Sequence, residues 1–186
     1  MNEISLHILD IVQNSIAAGA AHILLEVAED VETDLMTISI ADDGCGMDAE
    51  TVEKVQSPFT TSRKTRKVGL GIPMFKESCL ACGGEFNIES APGKGTKVWG
   101  SYRRSHIDRP PLGNMADTVY LLVAANPGLD FSYTHRVNGE SGDFNTTELR
   151  QALGDDVPLD NPDVLQWIRQ YLDETEQNLT RRSGLL

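Results

Sequence analysis

Two short clusters in this sequence place acids and amides where they could meet a ligand. Asp10 and Asn14, in Asp10-Ile-Val-Gln-Asn14, are four residues apart, so on a helix their side chains lie one above the other. Such a pair is either a solvated polar edge or a set of ligand-facing groups. In Asp42-Asp-Gly-Cys-Gly46, two glycines one residue apart let the backbone turn tightly and approach a ligand closely, with no Cβ in the way. A carboxylate held at that bend, such as Asp42, can accept a hydrogen bond from an exocyclic amine, the group that distinguishes adenine from hypoxanthine. Asp-Gly is also ordinary turn chemistry, so the loop gains meaning only from its neighbours. Gly69-Leu-Gly-Ile72 opens a helix, where unpaired N–H groups and a partial positive charge favour phosphate. Just before it, Arg63, Lys64, Arg66 and Lys67 stand in a hydroxyl-rich loop and could meet a polyphosphate.

The elements that position these groups follow from periodicity. Ile4, Ile8, Ile11, Val12 and Ser15 fall at helical spacing, predicting a helix from Ser5, its cap, to Ala18. Met36, Ile38 and Ile40 alternate, so residues 34–41 read as a strand, paired with one over residues 22–28 through a short acidic turn. Asp48 can cap a helix running to Val55. Pro73 is tolerated in a first helical turn, and the helix after Gly69 stops at Gly83-Gly84. Residues 85–90 and 96–103 read as two further strands. Strand pairs with helices to one side imply an α+β two-layer α/β sandwich.

Residues 106–116, with Pro110-Pro111 and Gly113, read as a linker. Beyond it, residues 118–124 and 131–137 look like strands, and Asn138-Gly139 turns the second into a third, short one. Thr146 or Thr147 caps a short helix to Leu153. A last helix runs from Pro162 to about Asn178, with Val164, Leu165, Ile168, Tyr171 and Leu172 as its apolar stripe. The expected organisation is a domain over 1–104, a linker over 105–117 and a small acidic α+β region over 118–186.

The 186-residue chain has a formal charge of −12, which argues against a general nucleic-acid binder, because duplex affinity comes largely from neutralising phosphates. Residues 1–104 carry 10 basic and 15 acidic side chains, and the remainder carries 6 and 13. No apolar run approaches the roughly 20 residues of a membrane helix, and the N-terminus lacks signal-peptide features. Three cysteines make no disulfide framework, so a cytoplasmic location is expected. Cys79 and Cys82 fit packing better than a zinc site, which needs four ligands.

Taken together, Asp10-Ile-Val-Gln-Asn14, Asp42-Asp-Gly-Cys-Gly46, Gly69-Leu-Gly-Ile72 and Gly93-Lys-Gly-Thr96 resemble, in order and spacing, the ATP-binding boxes of the gyrase, Hsp90, histidine kinase and MutL superfamily. Ser57-Pro-Phe-Thr-Thr61 resembles the lid segment of histidine kinases, and the similarity covers about residues 3–103. The resemblance implies a Bergerat-type fold that binds ATP and Mg²⁺. It assigns Asn14 to Mg²⁺, Asp42 to the adenine amine with help from Thr96, and Gly44, Gly46 and Met47 to the shape of the adenine pocket. Gly69, Leu70 and Gly71 would hold phosphates, while Thr60, Thr61, Ser62, Lys64 and Arg66 would belong to a lid.

Asp10 departs from the pattern. The hydrolysing branches commonly carry Glu there, and aspartate draws the carboxylate back by one methylene, roughly 1.5 Å. Histidine kinases place a phosphoacceptor histidine on a dimerising helical hairpin ahead of the ATP domain, and with the resemblance beginning almost at Met1 no such hairpin is expected here. His7 lies inside the first helix and reads as a packed or pocket-edge residue. The expectation is a slow ATPase or a protein kinase acting on a separate partner, with Asp10 as its catalytic residue. The alternative is an ATP-gated protein-binding module. Expected partners are ATP and a protein partner or phosphoacceptor, with a homodimer left open, and neither nucleic acid nor membrane.

Overall fold

The alternation in residues 22–42 becomes a hairpin of two long strands, β1 (His22–Asp30) and β2 (Leu35–Asp42). Its turn is held by Asp30, whose Oδ1 accepts the N–H groups of Glu32 and Thr33 at 2.9 and 3.0 Å. The computed structural model describes residues 3–57, 70–154 and 156–184. A second hairpin, β3 (Phe86–Ser90) and β4 (Thr96–Arg103), joins the first through antiparallel pairing of β4 with β2.

Alternate residues of these strands, among them Ile23, Leu25, Val27, Met36, Ile38, Ile40, Val98 and Tyr102, are buried and share one face of the sheet, as a period of two requires. Helix α1 (Ile4–Ala17) lays Ile4, Ile8, Ile11 and Val12 in that core, and α3 (Gly71–Ala81) brings Ile72, Phe75 and Cys79. Between them in sequence, α2 (Ala49–Val55) starts on Asp48, whose carboxylate accepts the Thr51 N–H at 2.8 Å. Ser5 does not cap α1. It is the second residue of the helix and buried, and the carbonyls of Pro111 and Leu112 accept the N–H groups of Ile4 and Ser5 at 2.9 and 2.8 Å. The expected linker thus completes the start of the first helix.

Residues 118–124 are helical, not a strand. They lie in α4 (Met115–Ala125), capped by Asn114, which accepts the Asp117 N–H at 3.0 Å. Thr118-Val-Tyr-Leu-Leu-Val123 is rich in strand-favouring residues, but strand propensity depends on context. The buried set Met115, Val119, Leu122 and Val123 has helical spacing and decides the matter.

Strand β5 (Asp130–Val137) then pairs in parallel with β1, and β6 (Glu140–Asn145) pairs with β5. The result is one six-stranded sheet, in the order β3-β4-β2-β1-β5-β6. The expected division into 1–104 and 118–186 therefore runs through a continuous sheet. Asn145, one residue before the expected threonines, caps α5 (Thr146–Leu153). Asn161 caps α6 (Pro162–Arg182), which buries Val164, Ile168 and Leu172. Tyr171, expected in the buried stripe, is exposed and stacks on Trp167 with ring centroids 5.1 Å apart. Contacts α3–α1, α1–α4 and α4–α6 line the helices in a row over the buried sheet face, the expected two-layer α+β arrangement.

Candidate functional site

The loop after β2 separates its two acids, because successive residues of an extended chain point to opposite sides. Asp43 turns outward to the start of β1, where its Oδ1 accepts the N–H groups of Ala21 and His22, both at 2.8 Å. The His22 N–H is the main reason its carboxyl is held below the usual range. Asp42 turns inward to the end of α1. Its Oδ1 accepts the N–H groups of Gly44 at 2.9 Å and Thr96 at 3.2 Å, and its Oδ2 accepts the Ser15 hydroxyl at 2.6 Å. Three donors from three segments fix this half-buried carboxylate.

The turn between β3 and β4 locks onto the same loop. Gly46 and Gly95 both have positive φ, +67° and +76°, and a Cβ on either would lie 1.9 Å from a carbonyl oxygen, of Ala91 and Asp42 respectively. Backbone meets backbone there, which only glycine allows. Gly44 passes close over the end of α1, with room for a Cβ only at 3.0 Å from that of Ala18. The Ser90 hydroxyl accepts the Met47 N–H at 2.8 Å and lies 2.9 Å from both the Gly95 carbonyl and the Thr96 hydroxyl. Thus Asp42, Gly44, Gly46, Met47 and Thr96, predicted as one pocket wall, are brought together.

The middle of α1 meets α3. A Cβ built on Gly71 would stand 2.5 Å from the Asp10 Cβ, so the first turn of α3 abuts the Asp10 carboxylate-bearing carbon. α3 has no side-chain cap, and Leu70, at its cap position, is half exposed. Its first N–H groups are among those a helix leaves without intrahelical partners. Asp10 precedes Ser15 by five residues, roughly 7.5 Å along the helix axis, so α1 spans from the Asp42 loop to the α3 terminus. His7 is buried, its ring centroid 6.2 Å from that of Phe75. Burial holds its imidazole below the ordinary value, against the pull of Asp10. Thr60, Thr61, Ser62, Lys64, Arg66 and Gly69 lie outside the described residues.

Asn14 carries a buried side-chain nitrogen with no hydrogen-bond partner among the described residues. An unpaired buried amide costs on the order of 1–3 kcal/mol, a cost that the described residues do not recover. The described residues contain no cluster of three or more His, Cys, Asp or Glu suited to a metal.

Two contributors to this geometry, Ser15 and Ser90, stood outside the predicted set. For Ser15 the signal was there: a hydroxyl on an otherwise apolar helical stripe. For Ser90 it was absent, since its partners come from residues 5, 6 and 43 positions away.

Residues 2–105 match the family described as histidine kinase-, DNA gyrase B- and HSP90-like ATPase. The sensor histidine kinase WalK of Bacillus subtilis is 35% identical over 82 residues, 41% of this chain and 13% of that kinase. The sensor protein kinase FleS of Pseudomonas aeruginosa is 35% identical over 89 residues, 48% of this chain and 22% of that one. The chain therefore spans less than a quarter of the length of either kinase. Among solved structures, the N-terminal domain of a DNA repair protein superposes with a TM-score of 0.51 at 14% identity, over 77% of this chain and 52% of that one. The MutL ATPase domain of Aquifex aeolicus, complexed with ADP, gives 0.50 at 13% identity, over 91% and 88%. At these identities the likeness is one of fold.

Proposed function

The chain belongs to the histidine kinase-, DNA gyrase B- and HSP90-like ATPase family, and on that premise we propose that it binds Mg-ATP along α1 and uses it as a slow ATPase or as a kinase on a separate protein. The observation that carries the reading is the anchoring of Asp42 by Ser15, Gly44 and Thr96. A carboxylate held by three donors from outside the ligand is a fixed acceptor, suited to the exocyclic amine of adenine. Gly44, Gly46, Met47 and Thr96 form the wall beside it. The phosphates lie toward the start of α3, at Leu70 and Gly71, where a helix terminus favours anions.

Asn14 would hold Mg²⁺ through its carboxamide oxygen, between the two ends. The ion, when bound, would supply positive charge to offset that of the triphosphate. Asp10 stands beside Gly71 and is the base that would orient a water or an acceptor hydroxyl. A misplacement of about 1 Å costs on the order of a hundredfold in rate, so the shortened side chain favours slow turnover.

That same shortening supports the second reading, a nucleotide-gated binding module in which ATP shifts the population of a partner-binding state. Turnover of ATP by the wild type and Asp10→Asn, with and without candidate partner proteins, separates the two. The enzyme reading expects slow release of phosphate or labelling of a partner, reduced in the variant. Tight ATP binding by both proteins with neither hydrolysis nor labelling rejects it.

A further inference from the structure

Ser15 is buried on the inner side of α1, one residue after Asn14. Its neighbours on that stripe, Ile8, Ile11 and Val12, are apolar and fully or almost fully buried, and packing alone would be served as well by alanine. Its hydroxyl lies 2.6 Å from Asp42 Oδ2, against 3.4 Å from the Ile11 carbonyl, the contact open to any helical serine. The short bond is to the carboxylate.

An ionised carboxylate offers about four lone-pair sites. The Gly44 and Thr96 N–H groups take the two on Oδ1, and Ser15 takes one on Oδ2. One site on Oδ2 is left for a ligand. We infer that Ser15 is a positioning residue for base specificity: by occupying one face of Oδ2, it holds the remaining acceptor toward the pocket. This rests on the reading of Asp42 as the adenine acceptor. A purine with an amino group at position 6 satisfies that acceptor. One with an oxo group there brings oxygen against oxygen, and the penalty is felt only while the carboxylate cannot tilt away. Gly44 and Thr96 both pull on Oδ1, so they restrain one end of the group. Ser15 restrains the other, and with all three in place the carboxylate keeps its plane.

The same helix thereby serves both ends of the pocket. Asn14 and Ser15 are adjacent, so the residue assigned to the metal and the residue that orients the base acceptor move together with α1.

The test is titration of the full chain with Mg-ATP and with Mg-inosine triphosphate, for wild type, Ser15→Ala and Asp42→Asn. Alanine is a good helix former, and inosine triphosphate binding reports separately on whether the rest of the site is intact. Wild type should prefer ATP. Ser15→Ala should lose on the order of tenfold in ATP affinity, because the freed carboxylate must be ordered again on binding, with inosine triphosphate affinity unchanged or raised as the carboxylate tilts away. Asp42→Asn, which places a donor amide at the acceptor, should shift the preference toward inosine triphosphate. An unchanged ATP-to-inosine-triphosphate ratio in Ser15→Ala, whether both affinities fall or neither does, overturns the role of Ser15. Should Asp42→Asn keep the wild-type preference for ATP, the adenine reading itself fails and Ser15 falls with it.

Discussion

A Cβ on Gly71 would lie 2.5 Å from the Cβ of Asp10 and 3.3 Å from its Oδ2, so the start of α3 is seated against the acid of α1 with no allowance for a methyl group. The two residues come from boxes 61 positions apart in sequence. Their contact puts the acid beside the helix terminus assigned to phosphate, the place where a base acting on a phosphoryl acceptor is needed.

Gly71→Ala tests this apposition cleanly. Gly71 is not in the left-handed region, so alanine brings no backbone strain and has the better helix propensity. Any loss is therefore steric. Overpacking of this kind costs about 1–3 kcal/mol, and for a chain of this size each kcal/mol lowers Tm by roughly 2–4 °C. Calorimetry should show that drop together with weaker ATP binding. A variant as stable as wild type with full affinity would mean that α1 and α3 do not meet here.

Cysteine reactivity follows from burial. Burial pushes the Cys79 thiol up to about 12 and raises that of Cys82 as well, whereas Cys45 is exposed. Since thiolate is the reactive form, iodoacetamide at pH 8 should alkylate one cysteine of the native chain and all three in denaturant, read by intact mass. Cys45 lies between Gly44 and Gly46, so saturating ATP should slow its alkylation severalfold. Native labelling at Cys79 would contradict the packing of α3 on β4.

How much of this was legible in the sequence varies with the range of the interaction. The Asp42 loop and the α3 start could be read because glycine spacing and helix termini are local signals. The strand pattern of β1 and β2 could be read because alternation is local too. The pairing of β1 with β5 could not. Its register joins His22 to Asp130 across 108 residues, and nothing in either segment names the other. Thr118-Val-Tyr-Leu-Leu-Val123 misled because its residue types suit a strand while its spacing suits a helix. Asn114, placed to cap that helix, was a second local signal. His135 stood in a segment correctly read as a strand, but alternation alone does not say which acids will face it.

Truncation after Arg104 should not leave a folded domain, although the family match ends near that point. Removing the rest exposes the β1 edge that pairs with β5 from His22 to Glu29. It also strips from α1 the Pro111 and Leu112 carbonyls and the packing of α4. An unpaired strand edge is an aggregation template. Residues 1–104 are expected to aggregate on size-exclusion chromatography or to melt without cooperativity by circular dichroism. A cooperative melt within a few degrees of the full chain would show that the first four strands stand alone.

The pH dependence of stability should be dominated on the alkaline side by His135. Its Nδ1 donates to Glu176 Oε2 of α6 at 2.9 Å, and its Nε2 lies 3.4 Å from Glu29 Oε1 of β1, in ion-pair range but without an aligned hydrogen bond. The Tyr133 hydroxyl and the Arg104 guanidinium complete the two carboxylates at 2.7 and 3.0 Å. Burial lowers the imidazole, but the hydrogen bond to Glu176 and the negative charges of Glu176 and Glu29 outweigh it and push it up to about 9. A folded-state pKa above the unfolded value of 6.5 means that the contribution is complete below about pH 6.5 and is lost as pH rises through about 9. Its size is on the order of 3 kcal/mol. For Glu29, burial acts upward and is overcome by His135 and Arg104, leaving its carboxyl below the ordinary 4.5. That contribution is present above the unfolded value and is lost as pH falls through the depressed one, so the network is strongest between about pH 4.5 and 6.5. Urea unfolding at pH 6 and pH 9.5 should show wild type losing most of the predicted amount. His135→Gln should be less stable at pH 6 by about 3–5 kcal/mol, because two carboxylates stay buried beside one lost cation, and nearly flat between the two pH values. Parallel losses in both proteins would place the alkaline sensitivity elsewhere.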